Sequence, residues 1–221
     1  MIEMRLYHFV NEKYGILDLK KRRLKLARIA DLNDPFEFTP ACPDARARKV
    51  IADFKQQAHD KIGLLCFSER RDNPVQWSHY ADGHKGMCLG FDIPDVHVTK
   101  VRYASTRPMA DMNTLFVSQA AGETEINRWL NVKYDHWHYE GEWRAAFELD
   151  QQTRQPDGNY YEKFSPDLRL AEVMVGVRST LTRLDVNDLL GDIAEHVEIA
   201  KGRLSFKKTY RVVHQLSRRV W

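Results

Sequence analysis

The sequence predicts an α+β fold with a mixed or antiparallel sheet and flanking helices, built as a single domain over residues 1–221. Apolar residues alternate with other residues along Met87–Ile93 and again along Trp137–Leu149, which is the period of a strand. Asp44–Lys61 instead has helical spacing. A content of 43% apolar residues, with 24 aromatic side chains (ten Phe, nine Tyr and five Trp), is sufficient for a self-supporting core.

Local signals place the elements of the first half. Asn73 followed by Pro74 predicts a capped helix, Pro74–Ala81, that stops near Gly83. Pro94 then ends the strand that begins at Met87. The other elements expected here are a strand at Arg5–Val10, a helical turn at Leu17–Arg23, a strand at Arg23–Ile29, a loop at Asp31–Glu37, a helix at Asp44–Lys61 and a strand at Ile62–Phe67.

The second half has one dominant pattern, the period of two along Trp137–Leu149, which predicts a strand with one apolar and one ionisable face. The other elements expected here are a helix at Met109–Val132 interrupted at Gly122, a loop at Gln151–Asn159, a strand at Leu168–Val177, a helix at Val186–Lys201 and a final strand within Phe206–Trp221. No glycine-rich loop of the P-loop or dinucleotide-binding type is present.

The charge balance excludes a strongly basic, tail-driven nucleic-acid binder, because 34 Lys+Arg against 31 Asp+Glu give a net charge of +3. The three cysteines contain no Cys-x-x-Cys pair, so we expect buried thiols in a reducing compartment and no metal site. The first residues lack a signal-peptide pattern, and no apolar run approaches the ~20 residues that cross a bilayer. We therefore expect a soluble cytoplasmic protein that does not enter a membrane.

Glu140 and Glu142 are the first candidates for chemistry, because both project from one face of the predicted Trp137–Leu149 strand. Two carboxylates so placed repel each other, which raises one pKa and keeps the other low, as acid–base catalysis requires. Arg144, next along that face, favours their ionised forms. The alternative is that this face is simply solvated.

Three further segments contain candidate site residues. Trp77, His79 and Tyr80 lie on or beside the Pro74–Ala81 helix; Tyr7 and His8 lie on the first strand. The loop before the Asp44–Lys61 helix contains the polar candidates Asn33, Asp34 and Glu37. The basic segment Lys20–Arg28 could contact phosphates. For each of these segments a purely structural role stays open.

Together these segments resemble a bacterial family, the domain of unknown function family 2971 (DUF2971). The motifs that carry the resemblance are Leu6–Phe9, Arg23–Leu26, Leu32–Glu37, Leu65–Glu69, Gln76–Gly86, Leu89–Asp92, Lys133, Trp137–Arg144 and Leu170–Gly176. The resemblance spans roughly residues 6–176. It implies little about activity, because the family is largely uncharacterised.

A more distant resemblance is to ADP-ribosyltransferase-like domains, which place a His or Arg on the first strand and a Glu on a late strand of a split sheet. The resemblance implies that His8 bonds the adenosine-side ribose of NAD and that Glu142 holds the nicotinamide ribose. Glu140 would then orient or deprotonate the acceptor, and Tyr80 would stack on nicotinamide. The aromatic residue of that class follows the histidine more closely than Tyr80 follows His8.

Three functions follow as hypotheses. The first is an NAD-dependent ADP-ribosyltransferase or NAD glycohydrolase that acts as a toxin or phage-defence effector, with NAD as its substrate. The second is a non-catalytic module that binds a nucleic acid or nucleotide through the basic segment and Trp77. The third is a hydrolase that uses the glutamates without NAD. The enzyme hypothesis predicts that the candidate residues converge on one cleft.

Overall fold

The computed structural model describes residues 2–215 and 221 and has an α+β fold. Its α-helices are α1 (Glu12–Lys21), α2 (Ala45–Lys61), α3 (Pro74–Tyr80), α4 (Met112–Val117), α5 (Gln119–Leu130) and α6 (Arg183–Leu190). Its strands are β1 (Glu3–Val10), β2 (Arg23–Lys25), β3 (Ala27–Arg28), β4 (Ile62–Ser68), β5 (Met87–Pro94), β6 (Thr99–Lys100), β7 (Arg102–Ala104), β8 (Val132–Tyr134), β9 (Glu142–Glu148), β10 (Tyr161–Lys163), β11 (Arg169–Val175), β12 (Glu198–Leu204) and β13 (Val212–His214). The α+β class and the mixed sheet predicted from the sequence are confirmed.

The chain divides into two compact units. The first unit comprises Met1–Lys25, Phe67–Val98 and Tyr161–Trp221, and the second comprises Leu26–Cys66 and Thr99–Tyr160. The expectation of a single domain stays a prediction. Among the described residues, no helix combines the length and the apolar character that crossing a membrane requires.

The first unit is organised around β5, whose eight residues are all buried. β1 pairs with β5 along its whole length in an antiparallel register, and β11 pairs antiparallel with its other side. The order then continues through β12, which is parallel to β11, to β13, which is antiparallel to β12. Trp77 from α3 packs into this unit's core with Cys88 and Met174.

The second unit contains β4, which pairs with β3 on one side and with β9 on the other, and β9 pairs antiparallel with β6. The last two residues of β4, Phe67 and Ser68, belong to the first unit, in which Ser68 lies opposite Tyr7 of β1 in the antiparallel register. A separate parallel pair joins β7 to β8. The core of this unit gathers around Leu64, Phe38 and Trp129.

Helix starts with a clear capping residue are confirmed. The Asp44 side chain accepts a hydrogen bond from the backbone N–H of Ala47 at 2.7 Å, so α2 begins one residue later. The Asn73 side chain caps α3 in the same way, with Pro74 in the first turn.

The predicted Trp137–Leu149 strand is wrong in its first part. Asp135–Glu140 forms a 3₁₀-helix, which ends at Gly141 with φ of +51°, and the strand begins only at Glu142. The left-handed conformation of Gly141 separates the two segments, because an extended strand cannot pass through it. Glu140 and Glu142 therefore do not share a strand face.

Four other predictions are wrong in their bounds. The helix predicted over Val186–Lys201 ends at Leu190, because Gly191 has φ of +52°; a 3₁₀-helix follows, and then β12. The Met109–Val132 helix is interrupted at Ser118, whose extended backbone and side chain cap α5, and not at Gly122. The Arg23–Ile29 strand is divided into β2 and β3, and the helix predicted from Leu17 already begins at Glu12.

Candidate ligand-binding cavity and buried charge cluster

The candidate site begins with the short stretch around Gly141. Glu142 and Arg144 are two residues apart on β9, so their side chains project from the same strand face. Glu140 reaches the same place from the end of the preceding 3₁₀-helix. The turn at Gly141, rather than the strand pleat, brings the two glutamates together.

Five ionisable side chains form what we call the charge cluster, and every one of them is buried. They are Glu37, Lys133, Glu140, Glu142 and Arg144, each no more than 4% exposed. Three carboxylates and two cations leave one negative charge in excess. Because a buried charge is costly unless it is paired, the exact pairing within the cluster decides its chemistry.

Lys133, in the middle of β8, lies close to all three carboxylates of the cluster. Its Nζ lies 2.7 Å from Glu140 Oε2 and 3.1 Å from Glu142 Oε2. It also lies 3.2 Å from Glu37 Oε1, but without the alignment of a hydrogen bond. Lys133 therefore links a residue of the loop before α2 to both glutamates beside Gly141.

Arg144 completes the pairing. Its Nε donates to Glu142 Oε1 at 2.7 Å, and its Nη2 donates both to Glu142 Oε2 at 3.1 Å and to Glu37 Oε2. Its Nη1 donates to the carbonyl oxygen of Leu130 at 2.6 Å. The guanidinium fork thus fixes Glu142 in a two-point contact, the strongest geometry for such a pair.

The pairing controls the protonation states. Burial alone raises the pKa of Glu142, but Arg144 and Lys133 outweigh it and lower that pKa to about 2. Burial alone lowers the pKa of Lys133, but the three carboxylates outweigh it and raise that pKa. Glu142 is therefore an anion and Lys133 a cation at neutral pH, and neither is poised to exchange a proton.

Tyr103 connects the cluster to β7. Its hydroxyl accepts a hydrogen bond from the backbone N–H of Glu142 at 2.8 Å. Burial, chiefly, raises the pKa of Tyr103 to about 12, so the phenol stays neutral. The first residue of β9 is thus held through both its side chain and its backbone.

A cavity of about 430 Å³ lies against the charge cluster within the second unit. Glu37 and Lys133 are the cluster members that line it. The other residues that line it are Asp34, Phe36, Phe38–Pro40, Ala104–Pro108, Trp129, Val132 and Tyr134. Its volume lies in the range of about 300–1,000 Å³ typical of small-molecule sites.

The cavity wall combines aromatic rings with a cation. Phe36 is 60% exposed and Tyr134 is 45% exposed, and the His136 ring stacks on Tyr134 with the two centroids 4.6 Å apart. The Arg107 guanidinium lies 5.3 Å from the centroid of the Phe36 ring. Such a lining suits a ligand with a planar ring and an anionic group.

The backbone beside Glu37 is in an uncommon conformation. Phe38 has φ of +53°, in the left-handed region that bulky residues avoid, while its ring packs edge-on against Trp129. The amine of Lys55 donates to the carbonyl oxygen of Glu37 and to the Thr39 hydroxyl, both at 2.8 Å. Backbone strain of this kind is concentrated at binding and catalytic sites.

The structure brings together four of the residues proposed from the sequence, namely Glu37, Glu140, Glu142 and Arg144. Asp34 is buried beside Glu37 in the cavity wall, where its side chain accepts from the N–H of Phe36 at 2.9 Å. The neighbouring Asn33 is exposed and is not among the cavity-lining residues. The interpretation of the Glu140–Arg144 face as a solvated strand face is wrong at Glu142 and Arg144.

The remaining proposed residues belong to the first unit. The hydroxyl of Tyr7 accepts from Arg71 at 3.1 Å, whereas His8 contacts the Phe67 ring edge-on. Trp77 is fully buried, and its Nε1 donates to the carbonyl oxygen of Arg71 at 2.6 Å. The last two candidates lie at the end of α3, with His79 exposed and Tyr80 partly exposed. Convergence of these residues with the glutamates stays a prediction.

Sequence reasoning missed Lys133, Tyr103 and Arg107 as site residues. Lys133 gave one signal, its place among the motifs that carry the family resemblance. Nothing local marked Tyr103 or Arg107, because their partners lie far along the chain. Among the described residues, no group of three or more His, Cys, Asp and Glu side chains is arranged to hold a metal ion.

The fold and the cavity define an α+β protein with a buried, charge-paired site beside a small-molecule cavity. The model of one family, described as protein of unknown function (DUF2971), matches residues 76–145. This segment covers α3 from Gln76 onward, β5, Lys133 and the residues from Glu140 to Arg144, and it supports the family resemblance there. No curated protein and no solved structure matches the chain.

Proposed function

We propose that the chain is an NAD-consuming enzyme, an ADP-ribosyltransferase or NAD glycohydrolase, whose substrate occupies the cavity beside the charge cluster. The observation that carries the proposal is a buried cluster at the cavity wall in which three carboxyl groups outnumber two basic groups. Cleavage of the nicotinamide–ribose bond passes through an oxocarbenium-like cation. A fixed buried carboxylate stabilises such a cation more than water does.

Glu37 is the group we propose to face this cation. It lines the cavity; its Oε2 is held by Arg144, and its buried Oε1 accepts no hydrogen bond but lies 3.2 Å from the Nζ of Lys133. Glu140 and Glu142 are not among the lining residues, so we assign them positioning roles through Lys133 and Arg144. This assignment shifts the catalytic carboxylate from Glu142, which the sequence suggested, to Glu37.

The rest of the cavity suits the remaining groups of NAD. The exposed aromatic rings of Phe36 and Tyr134 suit stacking with a planar base, and Arg107 suits a phosphate. We assign no role in this cavity to His8 or Tyr80, because both belong to the first unit. The biological setting we propose, from resemblance alone, is a toxin or phage-defence effector.

A non-catalytic nucleotide-binding module is the second candidate. It is favoured by one observation: both oxygens of Glu142 are already paired with cations, as in a purely structural cluster. It predicts that NAD or another nucleotide binds without losing nicotinamide. A hydrolase acting on other glycosides is the third candidate, and it predicts product release without NAD.

The test measures nicotinamide release from NAD by chromatography, together with the thermal shift that NAD produces. We expect the wild-type chain to release nicotinamide and Glu37→Gln to do so roughly 100-fold more slowly or worse. Glu172→Gln is the matched control, because Glu172 is also a buried carboxylate, paired with Arg71 at 2.5 Å and hydrogen-bonded to the His214 Nε2 at 3.1 Å.

The outcomes separate the candidates. Wild-type turnover that survives Glu37→Gln refutes the assigned role of Glu37. A thermal shift with NAD but no release of nicotinamide favours the binding module. If NAD produces no thermal shift and no nicotinamide is released, both the NAD-consuming enzyme and the NAD-binding module are refuted. If Glu37→Gln and Glu172→Gln lose activity equally, the loss reflects damage to the fold and the role of Glu37 is withdrawn.

A further inference from the structure

The hairpin that joins β12 to β13 is an exposed, ordered loop in the first unit. Leu204 lies opposite Val212 in the strand register, and the N–H of Ser205 donates to the carbonyl oxygen of Arg211 at 2.9 Å. We call residues 203–211 the basic hairpin. Its sequence, Arg-Leu-Ser-Phe-Lys-Lys-Thr-Tyr-Arg, contains four basic residues and no acidic one.

Two aromatic rings of the basic hairpin are almost entirely in solvent. Phe206 is 91% exposed and Tyr210 is 95% exposed, and Leu204 beside them is 59% exposed. A folded chain gains nothing from leaving two aromatic rings in water at the tip of a single loop. Such exposure indicates a surface that is covered by a partner.

The loop is held in shape by its own polar groups. The Ser205 hydroxyl accepts from the N–H of Lys207 at 3.1 Å and lies 3.4 Å from the Thr209 hydroxyl. The Arg203 guanidinium lies over the Phe206 ring, 4.6 Å from its centroid. One face of that ring is thus covered by a cation, while the side chain as a whole remains exposed.

We propose that the basic hairpin binds single-stranded nucleic acid. Exposed aromatic rings stack on unpaired bases, and flanking Lys and Arg side chains contact the backbone phosphates. Phe206 and Tyr210 supply the stacking surfaces, and Lys207 and Lys208 between them supply the charge. The proposal goes beyond the proposed function and does not depend on it.

The placement of the cations favours nucleic acid over an anionic membrane surface. Inserting Phe206 among lipid chains would carry the stacked Arg203 charge toward hydrocarbon, which is unfavourable. A base that stacks on Phe206 leaves the guanidinium at the level of the phosphates, where it is attracted. Arg211 contributes less to either partner, because it already lies 3.3 Å from Asp72.

The experiment titrates the full chain into a fluorescein-labelled single-stranded oligonucleotide of about 16 nucleotides and follows anisotropy. DNA and RNA of the same length are tested separately, as is the matching duplex. We expect Phe206→Ala and Tyr210→Ala each to weaken binding about 5- to 150-fold, the range found for loss of one base-stacking ring. Replacing both Lys207 and Lys208 by Gln makes the negative slope of log K against log salt less steep by about 1.4.

Tyr14→Ala is the matched control. Tyr14 lies on α1 in the same unit, is 54% exposed and also has a lysine over its ring, Lys13 at 5.5 Å. We expect this variant to bind as the wild type does. Because the substituted side chains are exposed, all variants should keep the wild-type melting temperature.

Several results would overturn the proposal. One such result is that the wild-type chain binds neither single-stranded DNA nor single-stranded RNA. Another is that Phe206→Ala and Tyr210→Ala bind as tightly as Tyr14→Ala. Equal loss of binding in Tyr14→Ala would show that the aromatic effect is not local to the hairpin. Binding to phosphatidylserine vesicles that requires Phe206, with no binding to oligonucleotides, would assign the hairpin to a membrane surface instead.

Discussion

Removing Arg144 tests the charge cluster most directly. Arg144→Met keeps much of the side-chain length but deletes every hydrogen bond to Glu142, Glu37 and the carbonyl oxygen of Leu130. It leaves three buried carboxylates with Lys133 as the cluster's single cation. Breaking a buried pair by removing one partner costs about 3–5 kcal/mol, because the other charge stays buried.

The pKa of Glu142 shows the net stabilisation that Arg144 and Lys133 together give its carboxylate after the cost of burial. Its fall from the ordinary value of 4.5 to about 2 corresponds to about 3 kcal/mol of stabilisation of the anion in the fold. We therefore expect the free energy of unfolding of Arg144→Met at pH 7 to be lower by about 3–5 kcal/mol. Urea titrations followed by tryptophan fluorescence measure this difference.

The pH dependence adds a signature that lost packing alone does not have. A carboxylate whose pKa is depressed by folding stabilises the protein above its unfolded pKa of 4.5, and this contribution fades as the pH falls toward 2. The stability gap between wild type and Arg144→Met should therefore narrow from about pH 5 downward. Asp60→Asn, in the more exposed Arg28–Asp60 pair at 2.8 Å, should cost less than about 1 kcal/mol.

The reasoning is refuted if Arg144→Met costs no more than Asp60→Asn. It is also refuted if the gap between wild type and Arg144→Met is the same at pH 3 as at pH 7. The first result would mean that the cluster relaxes without a cation. The second would mean that the loss comes from packing and not from charge.

Three further predictions concern stability and are measured by the same urea titrations. Tyr103→Phe leaves the buried N–H of Glu142 without its acceptor, and should cost about 1–3 kcal/mol; an unchanged midpoint would contradict this. Gly83→Ala places a side chain in open space but at φ of +57°, and should lower the free energy of unfolding by about 1–2 kcal/mol. Gly86→Ala places a Cβ 2.2 Å from the carbonyl oxygen of Val10, and should lower it by at least about 3 kcal/mol. Burial raises the pKa of Asp18 from 3.8 to about 7, so its effect on stability is favourable below pH 3.8 and is lost as the pH rises through 7. Asp18→Asn should therefore stabilise the fold by up to about 4 kcal/mol at pH 8 and have no such effect at pH 4; equal effects at both pH values would contradict it.

Local signals predicted much of the fold. The Asn73–Pro74 cap and the alternation of β5 involve residues adjacent in the chain, so the sequence contains all of the information needed. The alternation at Trp137–Glu140 misled because a short 3₁₀-helix can accommodate the same residues, and only the left-handed Gly141 decides between them. At the predicted Val186–Lys201 helix, Gly191 has the same effect.

The site was predictable in part for the same reason. Glu142 and Arg144 are neighbours on one strand face, so their spacing was enough to pair them. Glu37 is 107 residues from Arg144 in sequence, and Lys133 joins the cluster through a separate strand pair. No local pattern reports contacts of that kind, because chain folding over long separations creates them.

Because β9 begins directly after the turn at Gly141, the pairing of Glu142 with Arg144 depends on the exact number of residues in this stretch. Side chains on a strand alternate between faces, so a residue inserted or deleted just after Glu142 would slip β9 by one position. After an insertion Trp143 would take the position of Arg144, after a deletion Ala145 would take it, and in both cases Arg144 would face away from Glu142. A substitution in this cluster therefore changes individual contacts, whereas an insertion or deletion of one residue in β9 would remove Arg144 from the cluster.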